Sequence, residues 1–234
     1  MKLEVIAETM LAGEFDLAGD YQRLAFAFAS KSAKSYQGVL RLAENGLGEP
    51  ALILVRTLFE DLVNLVYISK EPERLAALFL DFHILEKKKY IEYWEEAGLG
   101  DVEVEQLRHE WETHYKAAYA RVLPNYPKRT YWSGKNLKEM AAVDPELAKT
   151  YCTLYPYISG FAHGGSPLAL ASYVGQADDL TMRSLAAPSE AELSEALVAG
   201  YSLFTKCLWV FADSCRVDST ALKALNDQAD RLFR

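Results

Sequence analysis

The most apolar stretch of the chain, residues 51–68, has charged side chains in its middle, and this combination strongly restricts the fold. It reads ALILVRTLFEDLVNLVYI and contains Arg56, Glu60 and Asp61. The length would suit a membrane-spanning helix, but three central charges make such a helix unfavourable. Because apolar residues lie on nearly all sides, we expect a buried helix at the centre of a helical bundle.

Helical periodicity, caps and breaks divide the chain into about eight or nine helices, which predicts an all-α, single-domain bundle over residues 1–234. Residues 124–136 are expected to be irregular, because two prolines and a glycine interrupt them. The pattern is weak near 168–186, where LALASYV could form a strand and a short β-hairpin or irregular segment is expected. The expected helices cover residues 3–12, 20–45, 50–69, 72–97, 101–123, 145–164, 189–216 and 218 onward.

Three helix signals are specific enough to be checked individually. Asp144 followed by proline predicts a helix start. Pro156 within the same helix predicts a kink, because it lacks a backbone N–H and its ring clashes with the preceding turn. The sequence SEAE at 189–192 is typical of a capping box, in which a serine and a glutamate bond reciprocally to backbone N–H groups.

Polar residues on the helix at 50–69 follow a regular spacing. Arg56, Glu60 and Asn64 are four residues apart and therefore share one slowly drifting face. A buried guanidinium without a partner is unfavourable, so Arg56 must contact an acid, a carbonyl or a bound anion. The alternative is that Arg56 only pairs with Glu60 and fixes the register of the helix.

The segment YPYISGFAHGG repeats this spacing on a later helix. Tyr155, Ser159 and His163 are four residues apart and fall along one face. An imidazole there could act as a general acid or base, with Ser159 or a tyrosine as its hydrogen-bond partner. An ordinary histidine at a helix C-terminus is the alternative. Because two polar stripes are too costly to bury separately, we expect Arg56 and His163 to face the same space.

These two stretches, RTLFEDLVNLVYI and YPYISGFAHGG, resemble an uncharacterised family of bacterial all-helical domains. That family has Arg-x3-Glu on one helix and Ser-x3-His on a later one, and Arg56, Glu60, Ser159 and His163 fit this pattern. The resemblance covers roughly residues 30–170. The family looks distantly like the HEPN helical domains, many of which are metal-independent ribonucleases of toxin and phage-defence systems. Those enzymes place arginine and histidine on one helix, whereas here the two are on separate helices.

The charge is distributed unevenly along the chain. The formal net charge is -8, which disfavours a general nucleic-acid coat protein. Residues 113–138 contain six basic and no acidic side chains, with aromatic residues between them. This composition is typical of surfaces that bind anions and stack bases, although a solvated face packed by its own aromatics also explains it. The candidate ligand contacts are Lys128, Arg129, Tyr131 and Trp132, together with Asn64 and Tyr155.

Cofactors and metals are not expected. Glycine-rich phosphate loops of the usual forms are absent from the sequence. His-x-x-Glu pairs at 83–86 and 109–112 resemble a reversed di-metal motif, but an amphipathic charged face produces such pairs by chance. Three cysteines without a CxxC pair indicate reduced core thiols. The acidic start lacks the features of a signal peptide, so we expect a cytoplasmic protein without a membrane partner.

Two functions from different classes therefore remain. The first is binding or cleavage of RNA or a nucleotide-like phosphate ligand by a metal-independent phosphodiesterase, with Arg56 holding the phosphate and His163 transferring a proton. Glu60 and Ser159 would orient them. The second is a non-catalytic helical module that binds a small molecule or a partner protein, with the same residues as a structural network. A homodimer is left open.

Overall fold

The computed structural model describes residues 2–15, 17–98, 102–126, 131–163, 166–178 and 181–232, and it confirms the all-α fold. Its helices are α1 (Leu3–Leu11), α2 (Asp20–Glu44), α3 (Gly48–Ile68), α4 (Pro72–Glu96), α5 (Val102–Glu110), α6 (Lys116–Val122), α7 (Leu137–Ala141), α8 (Pro145–Thr153), α9 (Tyr155–Ala162), α10 (Pro167–Ala171), α11 (Leu193–Cys215) and α12 (Thr220–Leu232). The two strands are β1 (Val174–Asp178) and β2 (Thr181–Ser184).

Helix α3 is the centre of the main core, as its apolar sequence predicts. It packs against α2 and α11 and also against α9. Leu52, Val55 and Phe59 are completely buried. Burying apolar side chains of this size stabilises the fold by about 1.5–3 kcal/mol each. The polar face of α3 is therefore held in a fixed orientation by the core on its other sides.

Helix α11 also belongs to this core. Among the described residues it is the one helix long and apolar enough to cross a membrane, with a mean hydropathy of 1.2 over its most apolar window. Half of that window is buried inside the protein, where Phe204, Leu208 and Phe211 face α2 and α3. The core helix of a bundle meets the same criteria of length and hydropathy.

A second, smaller core lies where the far part of α4 meets α5 and α6. Ile84, Ile91 and Trp111 are buried there. The single helix predicted over 101–123 is interrupted by a π-helical turn, Trp111–Tyr115, between α5 and α6. Tyr126 closes this core and donates a hydrogen bond of 2.5 Å to the carbonyl of Leu78.

The predicted signals around the site differ in their outcome. Asp144 caps α8 by accepting from the N–H groups of Glu146 and Leu147, both at 3.0 Å, which confirms the cap. Pro156 lies in the first turn of α9, after a break at Leu154, so the predicted kink is a separation into two helices. A proline is tolerated in a first turn because that N–H has no helical partner.

Two local predictions are wrong. LALASYV does not form a strand: residues 167–171 are helical, because Ser166 caps them and Pro167 opens the first turn. The short hairpin expected near 168–186 does form, which confirms that prediction, but it begins only at Val174, which pairs with Ser184. The capping box at 189–192 does not form either. Glu192 has a φ of 61° and precedes the helix, and its carboxylate accepts a hydrogen bond from Tyr157 instead.

Candidate functional site

Arg56 and His163 are brought together by the packing of α9 against α3, which confirms that they face the same space. Arg56 Nη1 lies 2.9 Å from Nε2 of His163. Arg56 projects from the middle of α3, and its side chain is only 19 % exposed. His163 directly follows α9 with extended backbone angles, and it is exposed. The pair therefore joins a fixed, half-buried cation to an imidazole that solvent can reach.

Glu60 holds the other edge of the arginine. Its Oε1 accepts a hydrogen bond of 2.8 Å from Arg56 Nε, and the side chain is 34 % exposed. Tyr155 on α9 donates from its hydroxyl to the same oxygen at 3.2 Å. Burial disfavours the charge of Arg56, but the charges and hydrogen bonds of Glu60 and Tyr155 outweigh it and raise the pKa of Arg56. The guanidinium is therefore permanently charged and fixed in orientation.

Aromatic rings form the wall beside the arginine. The Cζ atom of Arg56 lies 5.6 Å from the centroid of the Tyr155 ring. Tyr155 in turn stacks on Tyr151 at 5.0 Å and packs against Phe59 at 5.4 Å. Cation–π contacts of this kind stabilise by about 0.5–2 kcal/mol. Because Phe59 is in the core, these contacts connect the site to the rigid centre of the bundle.

Asn64, predicted as a ligand contact, makes hydrogen bonds within the protein. Its amide donates to the carbonyl of Glu60 at 2.8 Å, and its Oδ1 accepts from the indole N–H of Trp132 at 2.7 Å. Trp132 was predicted to stack on a ligand, but it is only 5 % exposed. Tyr67 and Phe79 pack against its ring. Both residues therefore anchor the irregular segment to α3 and leave no ring face for a base.

The remaining predicted contacts have mixed positions. Ser159 lies on α9, half-buried, and within the described part of the chain it makes no hydrogen bond to His163. Tyr131 lies near enough to the site for its charges to act on it. Burial is the largest cause of its raised pKa, the charges of Glu60 and Tyr155 raise the pKa further, and the charge of Arg56 lowers it. Lys128 and Arg129 lie outside the described residues. Their proposed contact with an anion stays a prediction.

Other side chains of the basic segment, residues 113–138, make contacts within the protein. Lys116 pairs with Glu112 at 2.7 Å, and Lys135 lies 5.4 Å from the centroid of the Tyr67 ring. Tyr126, like Trp132, is buried in the fold. The aromatic residues of this segment therefore mainly fill cores, which the alternating pattern of the sequence could not distinguish from a stacking surface.

The geometry of the pair defines the state of the histidine. A guanidinium has only hydrogen-bond donors, so Nε2 of His163 must be the acceptor of the 2.9 Å bond. A bond in this direction requires the tautomer of the imidazole that has its proton on Nδ1. An imidazole with an unprotonated nitrogen beside a fixed cation can accept a proton next to a bound anion.

In the ranges that the structure describes, no group of three or more metal-ligating side chains comes together. Cys207 is completely buried, and burial raises the pKa of its thiol to about 12. The candidate site consists of Arg56, Glu60, Tyr155 and His163, which are joined by hydrogen bonds.

Comparison with known proteins identifies the family of the chain. No curated protein and no solved structure matches the chain. One family does match, over residues 22–181, which include α3, α9 and the pair they bring together. That range is more than half of the chain, and the protein therefore belongs to DUF5677, a family of unknown function.

Proposed function

We propose that the Arg56–His163 pair is a phosphate site that binds and cleaves single-stranded RNA without a metal ion. The observation that carries the proposal is the 2.9 Å contact between Arg56 Nη1 and His163 Nε2, at a position where the histidine is exposed. A buried ion pair used only for register needs Glu60 but has no need of an exposed imidazole. The HEPN-like resemblance of the sequence supports the same substrate class.

The proposed chemistry depends on which nitrogens of the Arg56 guanidinium are already hydrogen-bonded within the protein. Glu60 accepts from Nε, which leaves Nη1, now bonded to His163, and the outer N–H of Nη2 as donors for a ligand. A phosphate would accept charge-assisted bonds from these nitrogens, which are about twice as strong as neutral ones. The Arg56–His163 bond would then give way, and Nε2 would become free to accept a proton.

In the proposed reaction the ribose 2′-oxygen attacks the adjacent phosphorus. The proton of this hydroxyl passes to His163 Nε2, the bond from phosphorus to the 5′-oxygen breaks, and that oxygen takes a proton from solvent. The products are a 2′,3′-cyclic phosphate and a 5′-hydroxyl. Arg56 stabilises the charge that develops on the phosphate oxygens. Glu60 and Tyr155 orient Arg56.

The proposal is tested with a mixed-sequence RNA oligonucleotide in the presence of EDTA. We expect cleavage to cyclic-phosphate ends and no cleavage of DNA of the same sequence, because DNA lacks the attacking hydroxyl. Arg56→Ala should abolish cleavage, whereas Arg23→Ala removes an exposed arginine that is paired with Asp20 and should not. Equal activity in both variants, or an intact RNA under all conditions, would contradict the proposal.

A non-catalytic module is the second candidate. It is favoured by the chain of hydrogen bonds that runs from Trp132 through Asn64 to the backbone of Glu60. Such a network holds a segment in place without any ligand. RNA binding that requires Arg56, together with uncleaved RNA, would support this candidate.

A further inference from the structure

A cavity lined by residues outside the Arg56–His163 site has features of a ligand site that the proposed function does not use. It has a volume of about 330 Å³ and lies between α1, α2 and α11. This volume is at the lower end of the range for small-molecule sites. Its walls are mainly apolar, with two carboxylates and one amide, and its lining includes Glu4, Ala7, Glu8, Tyr36, Gln37 and Phe204.

The hydroxyl of Tyr36 is a polar group without a partner in the described part of the chain. The residue is only 6 % exposed, and its ring stacks on Phe204 at 4.9 Å. Its hydroxyl makes no hydrogen bond among the residues that the structure describes, although a buried tyrosine hydroxyl usually has a partner. Because Tyr36 lines the cavity, its hydroxyl is available to a ligand there.

The two carboxylates at this cavity are likewise available to bind a cationic ligand. Glu4 and Glu8 are one turn apart on α1, and neither forms an ion pair within the described part of the chain. The charge of Glu4 acts on the buried tyrosine: burial and then Glu4 raise the pKa of Tyr36 to about 12. Arg41 is the cation that interacts with Glu4, but Arg41 is bound to Glu44 at 2.8 Å. The negative charge at the cavity is thus uncompensated by a direct contact.

We propose that this cavity binds an organic ammonium ion with an apolar body. The apolar part would lie against Ala7 and Phe204, and the ammonium group would donate to Glu4 and to the hydroxyl of Tyr36. Glu8 is close enough along α1 to add to the negative potential. An anion would be repelled by the two carboxylates, and a neutral alcohol would leave them unpaired. This site is independent of the Arg56–His163 pair.

The test uses three probes of similar shape and different charge: 2-phenylethylamine, 2-phenylethanol and phenylacetate. Each is titrated into the protein, and chemical-shift changes of the α1 and α2 amides are followed by NMR. The proposal expects saturable binding of the amine at least about tenfold tighter than the alcohol, and no binding of phenylacetate. Equal affinity for all three probes, or no saturable shift with the amine, would overturn it.

Two substitutions locate the binding. Tyr36→Phe keeps the stacked ring and removes only the hydroxyl, so the fold should persist. Glu4→Gln removes the charge and keeps the shape. Each is expected to weaken amine binding severalfold, whereas Glu190→Gln makes the same change in net charge at an exposed position outside the cavity lining and should have no effect. Unchanged amine affinity in both cavity variants would overturn the proposal.

Discussion

Arg56 donates from Nη1 to Nε2 of His163 across 2.9 Å, and this bond joins residues that are 107 positions apart in the chain. Neither residue could contact the other without the packing of α9 on α3. The bond has a direction, because a guanidinium cannot accept. The direction of the bond therefore predicts which nitrogen of His163 has no proton.

The first prediction concerns the tautomer of His163. In the resting protein we expect its proton on Nδ1 and an unprotonated Nε2, because Arg56 donates to Nε2. Nitrogen-15 NMR of the imidazole at mildly alkaline pH measures this directly. Arg56→Ala should release the constraint and increase the fraction with a proton on Nε2.

His83 is the internal control for this experiment. Its Nδ1 lies 2.5 Å from the carbonyl of Leu80, and a carbonyl can only accept, so Nδ1 must carry the proton. Its signals should be the same in the wild type and in Arg56→Ala. A proton on Nε2 of His163 in the wild type would contradict the assigned direction of the bond.

The second prediction separates packing from ligand binding at Trp132. Trp132→Phe keeps an aromatic ring but leaves Oδ1 of Asn64 without its 2.7 Å hydrogen bond. We expect the free energy of unfolding to fall by about 1–3 kcal/mol, as for other buried unsatisfied groups. Denaturant titration measures this loss. The affinity for RNA should be unchanged at temperatures where the variant is folded, and a weaker affinity with unchanged stability would contradict the packing role.

The third prediction concerns the basic segment. Lys128→Glu combined with Arg129→Glu should weaken RNA binding and flatten its dependence on salt, because fewer counterions are released. The slope of log affinity against log salt concentration is the measurement. Lys34→Glu with Lys223→Glu gives the same change in charge at exposed positions on α2 and α12. Equal slopes in the two double variants would contradict a role for the segment.

The fourth prediction uses a buried carboxylate in the core. Burial raises the pKa of Asp61, while its 2.6 Å hydrogen bond with Lys31 lowers it and the charge of Glu60 raises it. Its Oδ2 is buried and has no hydrogen-bond partner among the residues that the structure describes. A raised pKa in the folded state means that folding favours the protonated form of Asp61. The contribution of this carboxyl to the stability of the fold is therefore fully present below its ordinary pKa of 3.8, and it is lost as the pH rises through the pKa of the folded state.

Asp61→Asn removes this titration and isolates its effect. The stability of the variant relative to the wild type should increase from pH 4 to pH 8, because only the wild type must ionise a buried group. Lys31 is 58 % exposed and can remain solvated without its partner. Thermal melts at several pH values measure the difference, and a difference independent of pH would argue against ionisation of Asp61.

The buried helix at 50–69 could be predicted because its apolar residues leave few alternatives, and structure and prediction differ there by one or two residues. The meeting of Arg56 and His163 was predictable for a related reason, since two polar stripes on apolar helices are most stable when they satisfy each other. The roles of Asn64 and Trp132 were not predictable. Their bond depends on how an irregular segment returns to α3, and no local pattern encodes that return.

Glu192 shows another limit of local patterns. The residues SEAE satisfy the pattern of a capping box, but Glu192 takes a left-handed conformation and its carboxylate binds Tyr157. The residues just before α11 also pack closely against the start of α3. A Cβ atom on Gly48 would lie only 2.1 Å from the carbonyl oxygen of Ala191. Tertiary contacts here override the local preference.

The central claim is that Arg56 and His163 act as one unit on a phosphate, and a double-variant cycle tests it most directly. Single-turnover RNA cleavage is measured for the wild type, Arg56→Ala, His163→Ala and the double variant, with thermal melts to confirm that each is folded. We expect each single variant to lose about 100-fold or more. The double variant should lose little further, because residues that act together are not additive. Independent losses that multiply in the double variant, or a His163→Ala protein as active as the wild type, would contradict the claim.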